Sequence, residues 1–397
     1  MTFGRRLALV LGFTQTLAWA TTFYMPTVIV GPAAAGMGDS PTALLGGFSW
    51  SLLIAGLASP RVGRRIDKHG GRGVLALGSV TMTAGLVLMA LIPTLAGWWI
   101  AWTVIGAGMA LGLYDACFAT IGRLLGTEAR PVIVGVTLMA GFASTVGWPM
   151  GVALVGLIGW RATLLAYAAI QVVVNLPLIL LLIPRAGEAM PVRTEQAAAQ
   201  PPARAGLAAL VLLAAFFSVR AGISAVVSVH ALRLLQGVGL SAAAAVGVAA
   251  LFGPAQVFGR MLEWVFARRL DPFATSVLGG VLLPVGAGAL LLGAPPVVFA
   301  VGYGMSNGIL TISRGTLPMH LFGATGYATR LGRLALPPLL AQAAAPTVIT
   351  PLVLAWPASR MFLVLGLAAA AALLCLLPLR ALASQRTCAT SASATRG

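Results

Sequence analysis

The chain has 397 residues, of which 59% are hydrophobic and only 8% are charged. A soluble protein has about 25% charged residues, and so few charges could not cover a water-facing surface of this size. Lipid is therefore the solvent predicted for most of the exterior. The composition excludes an ordinary soluble domain and predicts an all-α integral membrane protein.

The net charge of +17 does not indicate nucleic-acid binding, because the basic residues are scattered between long apolar runs instead of gathered on one soluble domain. Basic cytoplasmic loops of a membrane protein produce the same excess. The three cysteines are too few and too separated for a disulfide framework or a zinc site. The three histidines lack metal-ligand spacing. We therefore expect no nucleic-acid partner, no metal and no cofactor.

The first apolar segment follows Arg5 and Arg6 and contains the small-residue pattern of a signal cleavage site at 18–20. The apolar run nevertheless continues to Val30, which makes it long enough to cross a bilayer. We interpret it as an uncleaved first transmembrane helix.

Apolar segments of about twenty residues, the length that crosses a hydrocarbon core, recur along the whole chain. The segment 184–205, rich in Pro, Glu and Gln, is predicted to be a cytoplasmic linker between six-helix bundles at 1–183 and 206–380. The Ser-, Thr- and Ala-rich stretch 381–397 is predicted to be a disordered cytoplasmic tail. The twelve predicted spans are 8–30, 43–60, 74–93, 98–122, 132–156, 162–183, 206–231, 241–262, 273–292, 296–314, 331–350 and 361–379.

The placement of basic residues predicts the orientation of these spans. If the N-terminus is cytoplasmic, almost all of the 25 Lys and Arg residues lie in or beside cytoplasmic segments. The exceptions are Arg161, Arg233 and Arg360, which fall on the outer side, and Arg220, which lies within a span. The positive-inside rule therefore predicts an even number of spans with both termini in the cytoplasm. We expect a multi-pass protein of the cytoplasmic (inner) membrane.

An internal repeat supports two related halves. A shift of 196 residues superimposes Gly-Arg-x-x-Asp at 63–67 on Gly-Arg-x-x-Glu at 259–263. The same shift superimposes Gly-x-Gly-Met-x-x-Gly at 106–112 on the same pattern at 302–308. Parallel six-helix repeats that hold substrate between them are a transporter architecture. The alternative is a chance match within a glycine-rich composition.

The loop from Gly63 to Arg72 reads GRRIDKHGGR. It resembles the loop of the major facilitator superfamily, in which a Gly, three residues and an acid precede a basic residue, a Gly and an Arg. The resemblance extends over essentially the whole chain and implies that fold, with twelve transmembrane helices in two pseudo-symmetric bundles. It also implies a cytoplasmic latch in which Asp67 lies near the N-terminus of the eleventh transmembrane helix, where a carboxylate is favoured. The implied latch residues are Gly63, Arg64, Asp67, Gly70, Arg72, Gly259, Arg260 and Glu263.

Some positions depart from the pattern of drug antiporters in this superfamily. Trp102 replaces an arginine that such proteins commonly carry in the fourth span, and Gly147 to Gly151 only approximates their glycine-proline motif. The multidrug subtype is therefore disfavoured. Ser49 to Ser51, with a central Trp, is weakly similar to the monocarboxylate and oxalate branch.

Two ionisable residues fall within predicted spans, where a charge must face a polar cavity or a partner. Arg220 lies near the middle of the seventh span, and Asp115 lies in the fourth. In the family, spans one, four, seven and ten line the central cavity, which makes Arg220 a candidate contact for an anion and Asp115 a candidate proton-coupling acid. Alternatively, Arg220 pairs with a helix carbonyl or with Asp115, Asp115 is purely structural, and Arg314 only extends to the interface. The candidate substrate-binding residues are Arg220, Asp115, Tyr24, Trp19, Gln15, Ser224, Asn307, Thr311 and Arg314.

The sequence favours a monomeric secondary transporter for a small organic solute, preferably an anion, with protons as a candidate coupling ion. Lys68 is the only lysine and is not part of a phosphate-binding loop, so an ATP-driven pump is disfavoured. A proton-coupled efflux antiporter for drugs or hydrophobic metabolites is the alternative. A non-transporting membrane sensor or assembly partner is a third hypothesis, and an enzyme is not expected because no catalytic constellation is present.

Overall fold

The computed structural model describes residues 2–185, 206–266 and 269–380. Only the first two residues of the predicted linker 184–205 belong to this set. The predicted tail 381–397 lies outside the described residues. All regular secondary structure in the described part of the chain is helical, without a strand.

The helices before the linker are numbered α1 to α9. A wide π turn, Ile170–Asn175, lies between the last two. Their bounds are α1 Phe3–Thr21, α2 Pro26–Met37, α3 Pro41–His69, α4 Arg72–Leu91, α5 Leu95–Gly112, α6 Tyr114–Leu125, α7 Ala129–Ala140, α8 Ala143–Ala169 and α9 Leu176–Leu182.

The helices after the linker are numbered α10 to α16. Their bounds are α10 Leu207–Gln236, α11 Ala242–Ala250, α12 Phe252–Phe266, α13 Pro272–Leu291, α14 Pro296–Phe322, α15 Tyr327–Ala355 and α16 Ala358–Leu374. Large aliphatic and aromatic side chains such as Leu181, Leu207 and Trp264 remain exposed on these and the earlier helices, as expected of a surface that faces lipid.

These helices account for the twelve predicted spans. Among the described residues, nine helical segments are long and apolar enough to cross a membrane. One of them, Leu95–Leu182, has 88 residues and contains the fourth, fifth and sixth spans. The first span is divided between α1 and α2. The prediction of an all-α, multi-pass membrane protein with two six-helix bundles is confirmed.

The helices contain three breaks that hydropathy does not reveal. Two lie within predicted spans and one lies between two spans. The chain is not helical between Thr22 and Met25, and Pro26 begins α2. Proline is favourable at this first position, because a backbone N–H there would have no hydrogen-bond partner within the helix. Leu113 has extended backbone angles, φ −90° and ψ −167°, and separates α5 from α6. Gly159 has φ +76°, a conformation that favours glycine; it turns the chain within α8, between the fifth and sixth spans.

The chain divides into two compact units. The N-unit comprises Met1–Thr194 together with Gly326–Ala343, and the C-unit comprises Glu195–Thr325 together with Ala344–Gly397. The first part of α15 thus belongs to the N-unit, although the sequence places it in the second bundle. The exact bundle boundaries at 183 and 206 stay a prediction.

Corresponding helices make corresponding contacts inside each unit. In the N-unit α5 packs against α3 and α4, and in the C-unit α14 packs against α12 and α13. Both α5 and α14 carry the repeated glycine motif. Helices can approach closely where glycine leaves the backbone uncovered.

Glycines at the same position of the motif face different neighbouring helices in the two units. A Cβ on Gly106 would lie 2.5 Å from the Ser51 carbonyl oxygen of α3, whereas one on Gly302 would lie 2.8 Å from that of Leu282 in α13. Gly308 faces α12 instead, where a Cβ would collide with the Gln256 carbonyl oxygen. The sequence motif therefore repeats, but a shift of 196 residues does not superimpose its packing.

We expect Gly308→Ala to lower the melting temperature of the detergent-purified protein by several degrees, because overpacking of this kind costs about 1–3 kcal/mol. Gly247→Ala is the matched control, since a Cβ on that helical glycine of α11 would meet nothing within 4 Å. The control should be neutral or slightly stabilising. Equal melting temperatures for the two variants would contradict the packing described for α12 and α14.

Candidate functional site

Arg220 is a buried cation in the C-unit. It lies in α10, is 4% exposed, and its Nη2 donates a hydrogen bond of 2.6 Å to Oγ of Ser306 in α14. The Ser306 hydroxyl in turn donates to the carbonyl oxygen of Gly279 in α13. Two hydrogen bonds in series therefore fix one edge of the guanidinium against two neighbouring helices.

The rest of this guanidinium has no protein partner among the described residues. Neither Nε nor Nη1 of Arg220 makes a hydrogen bond, which leaves three N–H groups available. A buried donor without an acceptor costs free energy, and more so when it is charged. The arrangement is therefore suited to an anionic group that accepts from Nε and Nη1.

A polar strip follows from Arg220 along α10 and α14. The phenol of Tyr303 donates to the carbonyl oxygen of Ser224 at 3.2 Å, and the two hydroxyl oxygens are 3.3 Å apart. The Asn307 side-chain amide donates to the Ser224 hydroxyl at 3.3 Å. The candidates Ser224 and Asn307 are thus brought together. Sequence reasoning missed Tyr303 and Ser306, whose apolar surroundings give no distinguishing signal.

Two other candidates of α14 stand apart from this strip. The Thr311 hydroxyl donates to the carbonyl oxygen of Asn307, one turn earlier in its own helix, at 2.7 Å. The Thr311 hydroxyl is therefore used within its own helix. Arg314 is half-buried three positions further along the helix.

An aromatic cluster occupies the N-unit where α1 breaks. The ring of Trp19 lies 4.7 Å from that of Tyr114 and 4.6 Å from that of Phe23, between ring centroids. Tyr24 lies 6.0 Å from Trp148 of α8, edge to face. The break between α1 and α2 therefore collects the candidates Trp19 and Tyr24 in one apolar cluster, which offers large flat surfaces to an organic solute.

Gln15 and Asp115 flank the break between α5 and α6. The amide of Gln15, 2% exposed, donates to the carbonyl oxygen of Gly112 at 2.7 Å. Asp115 is half-buried in the first turn of α6, where the helix dipole favours a carboxylate. Its charge also interacts electrostatically with Tyr327 of α15.

The loop after the second span contacts the start of α15 inside the N-unit. The Asp67 carboxylate accepts hydrogen bonds from the backbone N–H of Thr329 at 2.7 Å, from its hydroxyl at 2.5 Å, and from the N–H of Ala328 at 3.3 Å. Nη1 of Arg123 donates to the Asp67 carbonyl oxygen. A Cβ on Gly63 would collide with the Ala328 carbonyl, so this close approach requires glycine.

The remaining residues of this loop form the junction between α3 and α4. Gly70, with φ +84°, ends α3, and Arg72 is the first residue of α4. Arg64 is exposed.

The corresponding motif of the C-unit has different surroundings. A Cβ on Gly259 would lie 2.7 Å from the carbonyl oxygen of Met305 in α14. Arg260 and Glu263 are 6% and 5% exposed in α12, whereas Arg64 points to the surface. The repeat in sequence therefore does not reproduce the environment of the loop that contains Asp67.

Among the described residues, His, Cys, Asp and Glu side chains form no group of three that could hold a metal ion. The buried thiol of Cys117 and the half-buried one of Cys375 are free.

We expect Asp67→Ala to increase hydrogen–deuterium exchange at the amides of Ala328 and Thr329, because it removes three hydrogen bonds from the first turn of α15. Loss of such a cap costs about 0.5–2 kcal/mol. Exchange would be measured by mass spectrometry on peptides covering 326–333. Lys68→Ala is the control, since Lys68 is exposed. Unchanged protection in Asp67→Ala would refute the cap.

No protein-family profile and no curated protein sequence matches the chain. Solved structures do. The human organic anion transporter MFSD10 (TETRAN) aligns with a TM-score of 0.74 and 17% identity over 95% of this chain and 100% of its own. The proton:xylose symporter XylE aligns with a TM-score of 0.64 and 15% identity, over 94% of this chain and 93% of its own. The fucose:proton symporter FucP of E. coli aligns with a TM-score of 0.64 and 15% identity, over 97% of this chain and 99% of its own.

At these identities the comparison establishes the fold. The chain has the major facilitator fold, as the resemblance of the loop from Gly63 to Arg72 predicts.

Proposed function

We propose that this protein is a secondary transporter that moves a small organic anion across the membrane by alternating access. The observation that carries the proposal is Arg220, a buried guanidinium whose Nε and Nη1 have no hydrogen-bond partner among the described residues. A cation inside a membrane protein is costly unless it is compensated. A carboxylate, sulfonate or phosphate group that visits the site during transport would supply that compensation.

The surroundings of Arg220 favour a ligand-binding role over a structural one. Ser306 accepts from only one guanidinium nitrogen, so it orients the group without neutralising it. Ser224 and Asn307 on the same strip add uncharged polar groups for the remainder of a solute. The fold is shared with a protein described as an organic anion transporter, which agrees with this substrate class.

Asp67, in the last turn of α3, supports a conformational role for the segment from Gly63 to Arg72. It caps the first turn of α15 through three hydrogen bonds, so breaking and remaking this contact would separate two states of the N-unit. We infer that Gly63, Asp67 and Gly70 form a cytoplasmic latch. We also propose, from the positive-inside rule, that both termini are cytoplasmic and that the protein is a monomer in an inner membrane.

An efflux antiporter for drugs or hydrophobic metabolites is the second candidate function. The aromatic cluster around Trp19, Tyr24 and Trp148 favours it, because such rings bind apolar and cationic solutes without a charged partner. Its substrates would not depend on Arg220.

We expect Arg220→Ala to reduce uptake of radiolabelled organic anions into proteoliposomes by about 10–100-fold, since one hydrogen bond to a charged group contributes about 1.5–3 kcal/mol. A panel of carboxylates and lipophilic cations would be tested with and without an imposed pH gradient. Arg220→Gln removes the charge while retaining a polar side chain, and it should behave like Arg220→Ala.

Arg161→Ala is the control for loss of a positive charge. Arg161 is exposed and its guanidinium lies 5.1 Å from the ring of Trp160, so anion uptake should remain close to that of the wild type. If wild-type vesicles transport lipophilic cations and Arg220→Ala retains that transport, the efflux function is correct and the anion proposal is wrong.

Asp115 is the candidate proton-coupling acid. We expect that an imposed pH gradient no longer stimulates anion accumulation in Asp115→Asn, because an amide cannot carry the proton. The measurement is the ratio of uptake with the gradient to uptake without it, in the same vesicles. An unchanged ratio would remove Asp115 from the coupling mechanism and leave it as a carboxylate that the dipole of α6 stabilises.

A further inference from the structure

A small polar cavity of about 10 Å³ lies inside the N-unit. It is enclosed by α1, α4, the end of α5, the π turn and α9, and its polar lining comes from Gln15, Ser79, Gln171 and Asn175. These four side chains are no more than 2% exposed. The volume is that of about one water molecule, and the cavity is separate from the Arg220 site, which belongs to the C-unit.

Most polar groups around the cavity bond to one another. The Gln171 amide donates to the Thr21 hydroxyl at 2.8 Å, and the Ser79 hydroxyl donates to the Gln171 carbonyl oxygen at 2.7 Å. The Asn175 amide donates both to the side-chain oxygen of Gln171, at 3.0 Å, and to the backbone oxygen of Thr14, at 3.1 Å. These bonds, with that from Gln15 to the Gly112 carbonyl, fix which end of each amide is the donor.

Two acceptors remain after this network is complete. Oε1 of Gln15 and Oδ1 of Asn175 are buried and accept no hydrogen bond from the described residues. Because the nitrogens of both amides already donate to carbonyl oxygens, exchanging the ends of either amide would break a bond. Both residues line the cavity, so a ligand there that supplies two donors would complete both amides.

We propose that this cavity binds one water molecule, which donates one hydrogen bond to Oε1 of Gln15 and one to Oδ1 of Asn175. Water has the required size and two donors. A sodium ion also binds oxygen atoms, but the lining contains no carboxylate, and an uncompensated charge in this setting would be costly. A neutral donor is therefore the class of ligand that the residues select.

The site has a structural consequence for α1. The π turn, with its backbone N–H of Leu176 bonded to the carbonyl of Gln171, is the wide helical turn that carries Gln171 and Asn175. The water links this turn to Gln15, one helical turn before Trp19 of the aromatic cluster. It thus positions the segment of α1 that leads into the break at Thr22.

The direct test is a structure of the full chain at a resolution that shows ordered water, determined once in sodium chloride and once in choline chloride. We expect one peak in both, within about 2.7–3.2 Å of Oε1 of Gln15 and Oδ1 of Asn175. A peak present only in sodium, with oxygen neighbours at shorter distances, would overturn the assignment to water. An absence of density in both would overturn the site.

A double-mutant cycle tests the shared ligand without a map. We expect the fall in melting temperature of Gln15→Leu/Asn175→Leu to be clearly smaller than the sum of the single effects, because both side chains contact the same water. The control cycle pairs Gln15→Leu with Thr163→Val. Thr163 donates only to the Gly159 carbonyl of its own helix and does not line the cavity, so these effects should add. Additive effects in both cycles would contradict a bridging water.

Discussion

Inside a lipid bilayer a polar group that finds no partner in the protein finds none at all, and the rest of this structure follows from that constraint. Most hydroxyls of the spans meet it locally. Thr16, Thr81 and Thr103, for example, each donate to the carbonyl oxygen four residues earlier in the same helix. Among the described residues, the guanidinium of Arg220 and the amide oxygens of Gln15 and Asn175 are exceptions to this local pairing, as are Trp102 Nε1, Ser218 Oγ and Arg260 Nε. Our proposals concern the first three, which lie beside polar groups of neighbouring helices.

The same constraint explains why the breaks in the helices are tolerated. Between α1 and α2 the backbone N–H of Tyr24 still bonds to the carbonyl oxygen of Trp19, and the Thr22 hydroxyl bonds to that of Ala18 at 2.6 Å. The polar groups released by the break are thereby recovered locally. The break also directs the rings of Phe23 and Tyr24 into the aromatic cluster. In a continuous helix these two adjacent residues would point in different directions around the helix.

The sequence predicts the spans and the location of Arg220 because both depend on hydropathy, which lipid enforces strongly. It predicts the contact of Asp67 with the start of α15 only through a family pattern. It does not predict Ser306 or Tyr303, because a serine or tyrosine in an apolar helix acquires its role from helices distant in sequence. The breaks at Leu113 and Thr22 are missed for a related reason, since the residues on either side of them are equally apolar. The glycine motifs at 106–112 and 302–308 both pack closely against neighbouring helices, but their repetition in sequence does not reveal which neighbour each glycine faces.

The buried polar, charged and aromatic groups differ between the two units. The described interior of the C-unit holds a cation whose hydrogen-bonding capacity is only partly used, whereas the N-unit pairs aromatic rings with a network of neutral amides. Asp115, the acid of the N-unit interior, lies in the first turn of α6, where the helix dipole contributes about 0.3–1 kcal/mol to a carboxylate. Asp115 thus has one source of stabilisation within its own unit. We propose that Nε and Nη1 of Arg220, which have no hydrogen-bond partner among the described residues, receive their acceptor from an anion that comes from solution.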